Sequence, residues 1–317
     1  MIIRTLSAAL LAASLAGPAH ALDTLKLAIG QHGLWDSSFG EAGQKTGIFQ
    51  KHGLDVHTFY TSSGGETLQV VISGSSEIGV SAGTLGVLGA FAKGAPLRII
   101  GGEATGTAEY YFVRADSPIK KMQDAKPDTT LAYSTNGSGT HITALRFMKE
   151  LGFNAKLVST GTVPATFTQV MSGQIDIGFS TPPFGLKEES EGKIRILALA
   201  SDLASIRNQT VRVIVANAND IAKRPDVYKR FAQAYREVID FMYSDDPKAL
   251  EIYAEHANIS PLLAKTVRDK FYPKSMLQLD EVKGLDEMMQ DAVAFKYLPK
   301  PLTPEQQKEL LQLQGGK

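Results

Sequence analysis

Two stretches of this chain nearly repeat each other, 99 residues apart: SGSSEIGVSAG from Ser73 to Gly83, and SGQIDIGFSTP from Ser172 to Pro182. Each follows a glutamine and an apolar pair, Gln69-Val70-Val71 and Gln169-Val170-Met171. Each reads as a helix that ends at Ser-Gly and passes into an Ile-Gly-x-Ser strand. Glycine supplies the left-handed conformation with which helices commonly end. Two copies of one helix–turn–strand joint predict a chain built from two similar α/β halves; a chance match of a common α/β joint is the alternative.

The flanking sequence supports this. Residues 25–30 read as a buried strand, 39–49 as a helix, 54–60 as an alternating strand and 66–72 as a short helix. The first repeat follows, then a helix of small residues over 84–92 and a strand over 98–101. The rhythm begins again with strands over 110–113, 130–133 and 156–158, helices over 141–151 and 165–171, the second repeat, and strands over 195–199 and 212–215. Alternating strands and helices predict an α/β fold of two lobes, each a mostly parallel sheet flanked by helices. After residue 218 the pattern is helical. Val227, Phe231, Tyr235, Val238 and Met242 fall on one face, and Asp246-Pro247, Asp280 and Pro304 mark further helix starts. The expected division is lobe I over 22–110 plus 210–317 and lobe II over 111–209. Ligands of open α/β sheets bind outside the carboxyl ends of the strands. Two such edges facing each other make a cleft.

Composition narrows the function. The chain has no cysteine, which excludes disulfides, thiolate metal sites, cysteine nucleophiles and a lipidated cysteine anchor. Arg4, the apolar run 6–15, Gly17-Pro18 and Ala19-His20-Ala21 read as a signal peptide over residues 1–21. A periplasmic location, free of a lipid anchor, is the expectation. Lys and Arg number 33, as do Asp and Glu, and no basic stripe points to nucleic acid. No histidine or carboxylate cluster has metal-ligand spacing. Neither a metal nor a cofactor is expected, and neither is chemistry.

Several motifs face the expected cleft. GVSAG, 79–83, matches the G-x-S-x-G nucleophile elbow and makes Ser81 a formal nucleophile. The second copy carries Ser180-Thr181-Pro182 instead, so the serine follows the scaffold, and a serine hydrolase is the minor alternative. Asn136-Gly137-Ser138-Gly139-Thr140-His141 lies between a strand and a helix. Its small residues let the backbone approach a ligand, and a helix start favours an anionic group. Ser138 and Thr140 equally suit ordinary capping. His141 can donate to a ligand or simply occupy the first helical turn. Trp35, the single tryptophan, can stack on a ligand or cap the core edge. The loops 31–36, 61–65, 81–84, 134–141 and 180–184 hold no Lys or Arg. An anion would therefore be held by amides, hydroxyls and helix ends, and a neutral, zwitterionic or aromatic solute fits as well.

With these residues in view, the chain resembles the periplasmic substrate-binding proteins of ABC transporters of the nitrate/sulfonate/taurine class, whose relatives bind thiamine-type pyrimidines. The resemblance rests on Gly47-Ile48-Phe49 through Val56, Ser73-Gly74 to Gly79, Lys93-Gly94-Ala95-Pro96-Leu97, Asp116-Ser117-Pro118-Ile119-Lys120, Gly137 to His141 and Ser172 to Asp176. It implies the type II periplasmic-binding-protein fold, with a hinge of two crossing strands and lobes that close over a small solute. It also implies delivery to an inner-membrane ABC permease by a monomer. Carried over residue by residue, it places the ligand near Gln31, Trp35, Ser63, Gly64, Thr84, Ser138, Thr140, His141 and Thr181. Thr181-Pro182-Pro183-Phe184 departs from the Trp/Asp-Pro-Phe common in the family at that strand end, and the lysine often seen after the first strand is absent. A sulfonate, a taurine-like solute or another small organic anion is expected. An aromatic or pyrimidine-type solute, or a TRAP-type permease as the recipient, is the alternative.

Overall fold

The strands fall into two sets with the same internal order. The computed structural model describes residues 21–314, so the expected signal peptide lies outside the described residues except for Ala21. Ten strands occur among them: β1 (Asp23–Gly30), β2 (Leu54–Thr61), β3 (Ile78–Gly83), β4 (Leu97–Thr105), β5 (Tyr110–Arg114), β6 (Thr130–Tyr133), β7 (Lys156–Ser159), β8 (Gly178–Ser180), β9 (Ile194–Leu199) and β10 (Thr210–Asn217). The first set is a five-stranded sheet, β2-β1-β3-β10-β4. β1 runs parallel to β2 and β3, and β10 antiparallel to β3 and β4. The second set is the sheet β8-β5-β9 and the parallel pair β6-β7. A parallel bridge from Leu131 to Ile177 joins the two, giving the order β7-β6-β8-β5-β9. One strand in each set opposes the rest, β10 in the first and β5 in the second. Each is the first strand after the chain crosses between the sets, over 105–110 and 199–210.

The duplicated joint recurs atom by atom. The helices Gly64–Ile72 and Val163–Met171 both end at a glycine in the left-handed region, Gly74 (φ 75°) and Gly173 (φ 79°). The Ser73 hydroxyl donates to the Val70 carbonyl (3.0 Å) and that of Ser172 to the Gln169 carbonyl (3.1 Å). The acidic residue of each copy has the same task. Glu77 accepts the Lys26 N–H on β1 (2.8 Å), and Asp176 accepts the Thr130 N–H on β6 (2.8 Å). The correspondence also extends upstream at the same offset. Thr61 and Thr67 share a hydroxyl contact of 2.7 Å, and Thr160 and Thr166 one of 2.6 Å.

Local differences from the sequence reading have local causes. The expected helix over 39–49 is interrupted by Gly47 (φ 73°), giving Phe39–Lys45 and Ile48–Lys51. The helix expected from Asp280 begins at Leu285, after left-handed Gly284. A helix not anticipated, Pro261–Phe271, is capped by the Ser260 hydroxyl. The C-terminal helices pack on elements of the first set: Pro225–Met242 on Phe39–Lys45, Leu285–Ala294 on Thr84–Ala92, and Pro304–Leu310 on β4. One apolar core joins Leu25, Leu27 and Ile29 of β1 to Phe231, Tyr235 and Tyr253, while a second runs from Leu85 and Val213 to Phe112, Phe147 and Phe179. Among the described residues no helix is long and apolar enough to cross a membrane.

Candidate functional site

The carboxyl ends of β1, β3, β6 and β8 converge on one cavity between the two strand sets. It measures about 40 Å³, where one water molecule needs roughly 10–15 Å³. The helices Gly64–Ile72, Gly139–Leu151 and Val163–Met171 all begin on its wall. Their caps are filled: Ser63 accepts from Glu66 N, Ser138 from His141 N and Thr162 from Ala165 N. Each start carries the positive end of a helix dipole, which favours an anionic group. Hydroxyls of Ser62, Ser63, Ser134, Ser138, Thr140 and Thr181 surround the space, and Leu34, Val163 and Phe179 supply its apolar surface.

The two sets touch across the cavity mouth. The Ser63 and Thr135 hydroxyls lie 2.7 Å apart, and Val163 N donates to Gln31 Oε1 (3.3 Å). A side chain on Gly64 would run into the Ser81 carbonyl, and one on Gly83 into that of Gly137. Gln31 (φ 63°) and Ser81 (φ 70°) hold left-handed backbones on the wall. Such conformations cost non-glycine residues about 1–3 kcal/mol and cluster at functional sites. The loop carrying Gln31 is fastened from behind. Gly33 N donates to His256 Nε2 (3.1 Å), and His256 Nδ1 meets Glu41 Oε2 (2.8 Å).

A buried charge cluster forms one side of the site. Arg212, from β10, lines the cavity and donates to Asp36 Oδ2 (2.9 Å). Glu109 also lines it and accepts from the Thr143 hydroxyl (3.1 Å). Ser81 donates to Glu103 Oε1 (2.7 Å). Burial pushes the Glu103 carboxyl up to about 7, against the attraction of Arg212. Burial raises Glu109 as well, again opposed by Arg212. Burial works against the charge on Arg212, but Asp36, Glu103 and Glu109 outweigh it and hold the guanidinium well above its usual range. Among the described residues, Asp36 Oδ1, Glu103 Oε2 and Arg212 Nε have no protein partner. The site thus offers a guanidinium and three helix starts to an anion, and Glu109 to a cation.

The family model described as NMT1/THI5 like matches residues 41–249. The chain belongs to the NMT1/THI5-like family. No curated protein matches its sequence. Solved structures share the fold of this NMT1/THI5-like chain at low identity. The periplasmic aliphatic sulphonate-binding protein SsuA of Escherichia coli is 20% identical, with 90% of this chain and 91% of that one covered and a TM-score of 0.70. The alkanesulfonate-binding SsuA of Xanthomonas axonopodis pv. citri, bound to MOPS, is 16% identical over 86% and 90%, with a TM-score of 0.70. The periplasmic nitrate-binding protein NrtA of Synechocystis PCC 6803 is 15% identical over 91% and 85%, with a TM-score of 0.68. The expected type II periplasmic-binding-protein fold is the one observed.

Of the nine residues expected near the ligand in this NMT1/THI5-like chain, Gln31, Ser63, Gly64, Ser138, Thr140 and Thr181 line the cavity. The other three lie elsewhere. Trp35 is fully buried between Phe39, Tyr243 and Tyr253, and its Nε1 donates to the Tyr243 hydroxyl (2.9 Å). Thr84 donates to the Thr210 carbonyl (2.6 Å) and ties its helix to β10. His141 stacks on Tyr133, with Nδ1 2.6 Å from the Tyr297 hydroxyl, and burial lowers it to about 4. Ser81 does line the cavity, but its hydroxyl is committed to Glu103 rather than to an imidazole. The expectation that an anion meets no Lys or Arg is corrected by Arg212, which reaches the cavity from β10 rather than from a loop. Asp36 and Glu109 were missed with it. Their sequence surroundings carry no motif.

Proposed function

We propose that this NMT1/THI5-like protein is a periplasmic solute-binding protein that closes over a small zwitterion of the taurine type and presents it to an ABC permease. Lobe I is 22–110 plus 210–317 and lobe II is 111–209, with the crossings between them as the hinge. The observation that carries the reading is the pairing of Arg212 and three helix starts with Glu109 in one small cavity. The guanidinium and the helix starts suit a sulfonate or carboxylate, and Glu109 suits an ammonium a few bonds away. The small cavity, about 40 Å³, favours a short solute over an aromatic or pyrimidine-type one. Mechanism is population shift: the solute contacts both lobes only when they are closed, so its binding energy stabilises the closed form.

The test is a thermal-shift and calorimetric panel of taurine, methanesulfonate, ethylamine and thiamine-type pyrimidines. At a hundred times its dissociation constant a solute adds about 2.7 kcal/mol, which raises Tm by roughly 4 °C in a chain of this size. Taurine should give the largest shift, methanesulfonate a smaller one and ethylamine the least. A panel without any shift, or one led by the pyrimidine, would reject the reading.

A further inference from the structure

We propose a second small-molecule site beside the two chain crossings, suited to an amphiphilic anion such as an aryl-alkyl carboxylate. A cavity of about 540 Å³ lies between the crossings, 105–109 and 199–208, and the segment 270–283. Its size falls within the roughly 300–1,000 Å³ of small-molecule pockets. Leu199, Phe271 and Met276 form an apolar floor. Leu199 is among the few exposed large hydrophobic side chains of the described residues.

Three cations, Arg207, Lys270 and Lys283, stand around that floor. Lys283 is 2.8 Å from Glu281. Among the described residues, no carboxylate forms an ion pair with Arg207 or Lys270. Arg207 Nη1 donates to the Ser201 carbonyl (3.0 Å), which fixes its guanidinium at the rim. Glu109, the carboxylate of this lining, is buried and turned to the Thr143 hydroxyl (3.1 Å), so it does not neutralise the rim. Uncompensated positive charge over an apolar floor fits an anion with an apolar body. Glu109 is common to the linings of this site and the cleft cavity. An occupant touches both crossings at once.

The test is isothermal titration of the chain with 4-phenylbutyrate and with 4-phenylbutanol. The wild type is compared with Arg207→Glu/Lys270→Glu and with the milder Arg207→Gln/Lys270→Gln. All four replacements fall on exposed side chains, and melting curves check that both variants fold. Saturable binding of the carboxylate is expected, weakened about tenfold or more by charge reversal, as for loss of one or two charge-assisted hydrogen bonds. The neutral pair should be intermediate, and the alcohol should bind about tenfold more weakly than the carboxylate. Absence of binding, equal affinity in the wild type and both variants, or an alcohol as tight as the acid would overturn the proposal. The taurine panel reads the cleft alone, so the two proposals fail separately.

Discussion

Glu103 is where the chemistry of the cleft meets the stability of the fold. Its carboxyl is raised from about 4.5 to about 7, first by burial and then by Asp36, with Arg212 and the Ser81 hydroxyl pulling the other way. A group raised in the folded state gives stability that is complete below its unfolded value and is lost as pH climbs through the folded one. Glutamine imitates the protonated form, so Glu103→Gln should remove that loss. Relative to wild type, its unfolding free energy should be constant below about pH 4.5 and improve as pH rises through about 7. Urea titrations at pH 4, 6, 7 and 8 measure this, and a difference independent of pH would show that Glu103 titrates alike in the folded and the unfolded chain. Arg212, which sets much of this field, shows why the charge cluster was invisible in the sequence. It sits in Val211-Arg212-Val213, a run that reads as strand. Asp36 lies 176 residues away from it in the chain, and only the folded β10 brings the two together.

At the level of elements, the repeated joint separates two uses of glycine. A side chain on Gly74 would meet nothing within 4 Å, and one on Gly173 only Arg114 Nη1 at 3.8 Å. Their requirement is backbone conformation alone. Gly74→Ala and Gly173→Ala should therefore cost similar amounts, about 1–2 kcal/mol each. Gly79 and Gly178 sit in strands and are crowded instead. A side chain there would press on Val71 Cγ2 at 2.8 Å and on Val170 Cγ2 at 2.6 Å. Gly79→Ala and Gly178→Ala should lose about 1–3 kcal/mol through overpacking. Unfolding free energies of the four variants decide this, and equal costs at Gly74 and Gly173 are the sharpest part of the expectation. The joint was legible in the sequence because its chemistry is local: a capping serine, a left-handed glycine and an acidic residue within a few positions. The helix starting at Leu285 was misplaced because its upstream segment follows tertiary contacts. Gly102 has no side chain, which lets the Gln278 and Glu281 carbonyls crowd against β4.

For the whole molecule, the two strand sets are also tied together outside the cavity. The Tyr297 hydroxyl, carried by the C-terminal region, accepts the Gly137 N–H (2.9 Å) on the loop that opens the helix Gly139–Leu151. Asp291, on the helix Leu285–Ala294, pairs with Arg146 and with Lys149 (3.0 Å) of that same helix. Tyr297→Phe removes the hydroxyl's two hydrogen bonds, to Gly137 N and His141 Nδ1, worth about 1 kcal/mol each. If these contacts form only on closure, taurine affinity should fall roughly five- to thirtyfold while far-ultraviolet circular dichroism is unchanged. Unaltered affinity in a calorimetric titration would mean that the contacts persist when the cleft is open. The overall architecture was legible because strand–helix alternation and the duplicated joint survive in the sequence. The cavity's charges were not, because they enter from β10 and from the crossing before β5. That placement has an evolutionary consequence. The duplicated unit supplies two near-equivalent cradles of hydroxyls and helix starts, while Arg212 and Glu109 lie outside its two copies. On the proposed function, exchanges at Arg212 and Glu109 would alter solute preference while leaving the repeated joint, and with it the fold, untouched.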